Sequence, residues 1–225
     1  MTKLLSTKQA KMDKSTGLGY APAIMHLQPH KFMGKNLCPG ASDGCASTCL
    51  TSAGMMVFKN AVNARHERTR LFWENREAFM DQLTTEIQAH RAKALKNGLK
   101  PCVRLNGTSD IQWEKLTPGL FTRFSDVVFY DYTKIAKRFA GDLPANYSLT
   151  FSRAEHNAAE AEAVLKSGGN VAVVFADVVP GKYLGRPVVD GDAHDLRFLD
   201  PRGVVVGLKA KGKARRDMSG FVVRG

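Results

Sequence analysis

The sequence predicts an α/β protein of parallel βα units, forming either an open doubly wound sheet or a barrel. Three observations carry this expectation. Six short apolar or β-branched runs are bounded by Gly, Pro, Asn or Asp, as strands are. Helical patterns lie between them, so neighbouring strands can run parallel with a helix crossing back. The chain has 225 residues, 44% hydrophobic and 24% charged, which suits one domain (1–225) with one sizeable core.

The six runs are residues 23–27, 102–106, 127–132, 147–151, 171–176 and 204–208. The clearest helix starts at Asn75, whose side chain can cap free backbone N–H groups. It carries Phe79, Leu83 and Ile87 at four-residue spacing and stops at Asn97 and Gly98. A second helix is expected to open on Ser152 and Glu155 as a capping box, and to run through Ala159, Ala163 and Val164 to Gly168 and Gly169.

Lys and Arg number 33 against 21 Asp and Glu, a net charge of +12, which favours polyanions or phosphorylated ligands, nucleic acid among them. The excess is concentrated at Arg65, Arg68, Arg70, Arg76 and Arg91, expected on a solvated helix face, and in KAKGKARR near the C-terminus. No apolar run approaches the ~18 residues of a membrane span, and the N-terminus lacks the apolar core of a secretory signal. The expected location is the cytoplasm, with no membrane partner.

In parallel βα folds the loops leaving the strands converge on one face. Read that way, the strand ends gather Asn106, Ser109, Asp110, Asp131, Tyr132, Lys134, Arg153, Lys209 and Lys211 into a pocket for a small-molecule ligand. No nucleophile–base pair or phosphate-binding glycine motif assigns a reaction, so catalytic residues stay unknown. The long 185–203 connection, with Asp190, Asp192, His194, Asp195 and Asp200, is a candidate lid; its aspartates are expected in turns, since their spacing does not match a calcium loop.

Residues 38–49 place Cys38, Cys45 and Cys49 in one loop directly after the first strand, with Pro39, Gly40 and Gly44 to let the backbone curl. Cytosolic thiols are normally reduced, so metal ligands are favoured over disulfides. Structural zinc wants four ligands, and no motif places a fourth among Cys102, His26, His30 and His66. Cys102 opens a predicted strand and is expected in the core. Three thiolates on a cubane cluster leave one iron open, which favours iron–sulfur ligation over zinc.

A cysteine triad after the first of six βα units resembles the core of the radical S-adenosylmethionine enzymes, a partial (β/α)6 barrel of TIM-like architecture. That resemblance implies a [4Fe-4S] cluster on Cys38, Cys45 and Cys49 with S-adenosylmethionine at its open iron. The spacing here is C-x6-C-x3-C, against C-x3-C-x2-C in that superfamily. The chain also resembles the phage gene-product-eighty-eight-like family, through its CPGA…C…C loop, Arg-rich helix 65–76, Gly107–Asp110 strand end, Tyr132-Thr-Lys134, GDAHDLRFLDP and GLKAKG. This likeness implies a phage-encoded protein in the infected host's cytosol and no particular reaction.

Overall fold

The computed structural model describes residues 2–7 and 14–224. All six predicted strands form, as β2 (Tyr20–Met25), β5 (Lys100–Arg104), β6 (Val128–Thr133), β7 (Tyr147–Ser152), β8 (Asn170–Phe175) and β11 (Val205–Lys209). They lie in this order in one ten-stranded sheet, each parallel to the next. β1 (Leu5–Ser6) adds antiparallel to β2; β10 (Arg186–Asp190) adds parallel to β11; β9 (Lys182–Tyr183) closes that edge. β12 (Val222–Val223) pairs with Val174 and Phe175 of β8, beyond the point where β7 pairs with Asn170 to Ala172. A separate hairpin joins β3 (Lys31–Phe32) to β4 (Lys35–Asn36). Among the described residues no pairing joins β2 to β11, so the strands form a mostly parallel α/β sheet rather than a closed barrel.

Helices α1 (Asp43–Ser47), α2 (Lys59–Glu74), α3 (Arg76–Lys96), α4 (Trp113–Leu116), α5 (Pro118–Arg123) and α6 (Ala158–Lys166) complete the chain with several 3-10 turns. In α3 the Asn75 side chain accepts the Ala78 N–H, Phe79, Leu83 and Ile87 are fully buried, and Gly98 takes φ +69° after the last turn. That stripe meets Val103, Phe129 and Leu149 of the sheet, with Phe72, Trp113 and Phe121, as the main core. α6 packs Ala161, Val164 and Leu165 on Phe151, Val171, Val173 and Val205.

Period-two alternation sends the other strand residues to the opposite face. There Cys102 and Tyr130 pack with Leu196 and with the partly buried Tyr20, Val128 and Phe198. Cys102 is thus a fully buried core thiol, as expected. The 185–203 connection begins with β10, and its Leu196 and Arg197 are buried.

Two local expectations need correction. α6 begins at Ala158, because Ser152 is still in β7 and its O accepts from Asn157 Nδ2. The capping box does not form, and Glu155 is released to another task. The arginines expected on a solvated face are mostly engaged. Arg65 is 3% exposed and donates to Met56 O and Gln28 Oε1; Arg68 donates to Lys3 O and His26 O. Arg76 lies over the Phe72 ring at 3.5 Å, Arg91 holds Asp126, and exposed Arg70 pairs loosely with Glu74. The guanidinium stems and charges of these residues tie elements together, as amphipathic side chains can.

Candidate functional site

The cysteine loop is built from its backbone outward. The Cys38 N–H donates to Asn36 Oδ1 at 2.8 Å, and Cys38 Sγ accepts the His30 N–H at 3.4 Å and reaches Thr108 O at 3.6 Å. These contacts join the loop to the turn after β5. Ser42 caps α1 by accepting the Cys45 N–H. The Glu155 carboxylate accepts the Ser42 hydroxyl at 2.7 Å and the Gly44 N–H at 2.8 Å. An anion at a helix start is favourable, and here it sets the helix that carries Cys45. Gly44 is required by packing: an added Cβ would lie 2.8 Å from Phe221 Cβ and would collide with Ser219 Oγ.

The three thiols are free, half-buried and open to one cavity of about 260 Å3. Asn106, Ser109, Asp110, Tyr132, Lys134, Lys209 and Lys211 line the same cavity, so seven of the nine strand-end residues named from sequence meet the cysteines there. Lys134 is central. Its backbone N–H donates to Asp110 Oδ2 at 2.8 Å, its ammonium donates to Ser152 Oγ at 2.6 Å, and its positive charge favours the Cys45 thiolate. Burial pushes the Cys38 thiol up to about 12, with Cys49, Asp110 and Cys45 adding to it; burial also raises Cys45, and Lys134 opposes that. Binding a metal group here must therefore release protons.

Asp131 and Arg153 lie elsewhere. Asp131 shares the parity of Phe129 and points to the helix side. There it accepts the Asn106 N–H at 2.6 Å and the Tyr147 hydroxyl at 2.8 Å, and burial raises it to about 7. It shapes the turn that presents Asn106 and Asp110. Arg153 donates to the Gly220 and Phe221 carbonyls and holds the segment leading into β12. Behind the turn, Arg138 is buried against Asp110 (3.2 Å) and Glu114 (2.8 Å) and donates to the Tyr147 hydroxyl.

The cavity also contains residues that the sequence did not single out. Arg104, two positions before Asn106, pairs with Asp195 at 3.2 Å and lies 4.5 Å under the Tyr132 ring. Asp192 accepts from the Lys209 N–H and the Lys211 ammonium. The signal was available: an arginine at an otherwise apolar strand position must find a partner or a ligand. His26, beside Gly107, is pushed down to about 3 by burial and by Arg104, Arg68 and Arg65. Among the described residues, no three His, Cys, Asp or Glu side chains stand close enough to hold one metal ion.

Among the described residues no helix is long and apolar enough to cross a membrane. No curated protein and no solved structure matches the chain, and nothing in these comparisons matches a radical S-adenosylmethionine core. One family model, described as gene product 88, matches residues 3–225, and the chain belongs to that family.

Proposed function

We propose that this is a phage-encoded iron–sulfur protein in which Cys38, Cys45 and Cys49 hold a [4Fe-4S] cluster at the mouth of a ligand pocket. One observation carries the reading: three thiols from a single loop open to the same cavity as the polar ends of consecutive parallel strands. The donor set fits the group. Ligands of one zinc crowd within a shared sphere of about 2.3 Å bonds, whereas each cysteine of a cubane binds a different iron. Three thiols lining one cavity, with no fourth cysteine beside them, match a three-cysteine cluster ligand set better than a closed four-ligand zinc site. The six parallel strands in sequential order are likewise compatible with a partial (β/α)6 barrel.

A cluster held by Cys38, Cys45 and Cys49 would supply one-electron chemistry and an iron with an open coordination position. The chain's own residues do the rest. Lys134 places a positive charge against Cys45, which favours the thiolate over the thiol. Glu155 and Ser42 orient the helix bearing Cys45. Asn106, Ser109 and Asp110 offer donors and acceptors to a small or phosphorylated ligand, and Arg104 stands at the floor. S-adenosylmethionine is the first ligand to test.

The experiment is anaerobic purification with measurement of iron, acid-labile sulfide and zinc, beside a Cys38→Ala/Cys45→Ala/Cys49→Ala variant. Iron and sulfide near stoichiometry, lost in the variant, are expected. Zinc without sulfide would overturn the reading. Intact S-adenosylmethionine after incubation with reduced, cluster-loaded protein would remove that cofactor and leave the cluster in place.

A further inference from the structure

Most of the arginines in the Arg-rich helical region are spoken for, so the charge excess has to emerge elsewhere. It emerges at the pocket. From 201 to 216 the chain has no acidic residue, and Lys209, Lys211, Lys213, Arg215 and Arg216 are all exposed. Among the described residues only Lys211 of these five is in an ion pair, with Asp192. Lys209 and Lys211 line the cavity, and the turn 212–216 continues the row outward from its mouth.

The adjoining lip is apolar. The turn 50–52 packs directly on the turn 212–216, with Gly212 so close that an added Cβ would lie 2.7 Å from Ala53 Cβ. From this lip Leu50, Met55, Val57 and Phe58 project with 56, 75, 51 and 53% exposure, far above what a monomer's core-forming residues show. Residues 44–66 also contain no Asp or Glu. A basic row therefore runs beside an exposed apolar ridge; the row reaches the cavity of the three thiols at Lys209 and Lys211, and the ridge reaches it at Leu50.

We propose that this rim binds a single-stranded nucleic acid, whose phosphates follow Lys209 to Arg216 while bases rest on the ridge at Leu50 and Phe58 and one nucleotide unit enters the pocket. The inference builds on the reading of the cavity as the reactive site and names its substrate class. Three features select this occupant. Repeating phosphates match a row of cations that has one carboxylate partner, and base faces match exposed apolar and aromatic groups. The cavity, about 260 Å3, is slightly smaller than usual small-ligand sites. It accommodates a unit of a flexible strand and excludes a duplex. An anionic membrane would meet the same charges, but its headgroups are not joined in a chain that could follow the row of cations from the rim into the recess. A second copy of this chain, also +12, would be repelled.

The test uses a fluorescein-labelled twelve-nucleotide oligothymidylate and anisotropy across a salt series, with the full chain and a Lys213→Glu/Arg215→Glu/Arg216→Glu variant. All three positions are exposed, and an unchanged unfolding temperature will verify the variant's fold. Binding at low salt is expected, with log K falling against log salt at a slope of roughly −3 for phosphate contacts to the four cations outside an ion pair at about −0.7 each. The variant should bind at least tenfold more weakly, and Phe58→Ser should weaken binding with the salt slope unchanged. No binding at low salt, or equal binding by the charge-reversed variant, would overturn the proposal. So would binding to phosphatidylserine vesicles in place of the oligonucleotide. Iron and sulfide are measured on the same preparation, and the triple cysteine variant should still bind the strand through the rim. Failure of the cluster and failure of the strand interaction are thereby separate results.

Discussion

Replacing Arg138 with methionine tests how the pocket is held from behind. The Arg138 side chain is 1% exposed and donates to Glu114 from two nitrogens at 2.9 and 2.8 Å, to Asp110 at 3.2 Å and to the Tyr147 hydroxyl at 3.0 Å. Methionine keeps much of the volume and strands two carboxylates whose side chains are 8% and 10% exposed. Removing one partner of a buried ion pair costs about 3–5 kcal/mol, and at roughly 2–4 °C per kcal/mol for a chain of this size the unfolding temperature should fall by some 6–20 °C. Calorimetry or thermal circular dichroism reads this directly. The sign of its pH dependence is also determined. Burial already raises Asp110 above the usual carboxylate range, so the folded state binds protons that the unfolded state has lost. Loss of the Arg138 charge extends that effect, and the deficit of the variant should shrink as pH falls from 7 to 5. Adding Glu114→Gln should restore part of the stability. A variant within about 1 kcal/mol of the parent at pH 7 would refute the claim that this pair organises the Asn106–Asp110 turn.

Further outcomes follow from the same geometry. His26 is held neutral with its pKa down at about 3, so its contribution is complete above pH 6.5 and is lost as pH falls toward 3. His26→Gln should remove about 2 kcal/mol of the acid destabilisation at pH 5, seen in urea melts at pH 7 and 5; parallel melts of both proteins would contradict it. Gly44→Ala should cost about 1–3 kcal/mol by overpacking against Phe221 and Ser219, and it should lower cluster occupancy, because α1 must move away from Glu155. Unaltered stability with unaltered iron content would count against this. Cys102→Ala should cost only about 1 kcal/mol and leave iron and sulfide unchanged, since Cys102 lies among Tyr130 and Leu196 and not in the cavity.

Local signals carried far along this chain. Strands of five or six apolar residues between breakers, and a helix with Asn75 at its start and Gly98 after its end, are decided by nearest neighbours; the helix formed between those signals, and each strand overlaps its predicted run, with the first displaced toward the N-terminus to Tyr20–Met25. The convergence of Cys38, Cys45 and Cys49 with Asn106, Asp110 and Lys134 was also legible, because parallel strands must deliver their following loops to one side. Parity could have gone further: Asp131 and Tyr132 are adjacent, and alternation alone sends only Tyr132 to the cavity.

Contacts over long sequence distances were decided by the tertiary structure alone. Ser152 and Glu155 satisfy a local capping rule equally well in isolation, yet Glu155 finds Ser42 and Gly44, 113 and 111 residues away, and caps the cysteine helix instead. Arg65 and Arg68 sit in a polar helical stretch but turn inward to backbone carbonyls. Arg104 meets Asp195 across 91 residues at the cavity floor. Spacing determines which face of an element a residue occupies; only packing determines what stands opposite. For this protein the sequence by itself therefore determined the strands, the Asn75 cap and the side on which the thiols gather. The fold decided which charges are neutralised internally and which remain exposed at the rim.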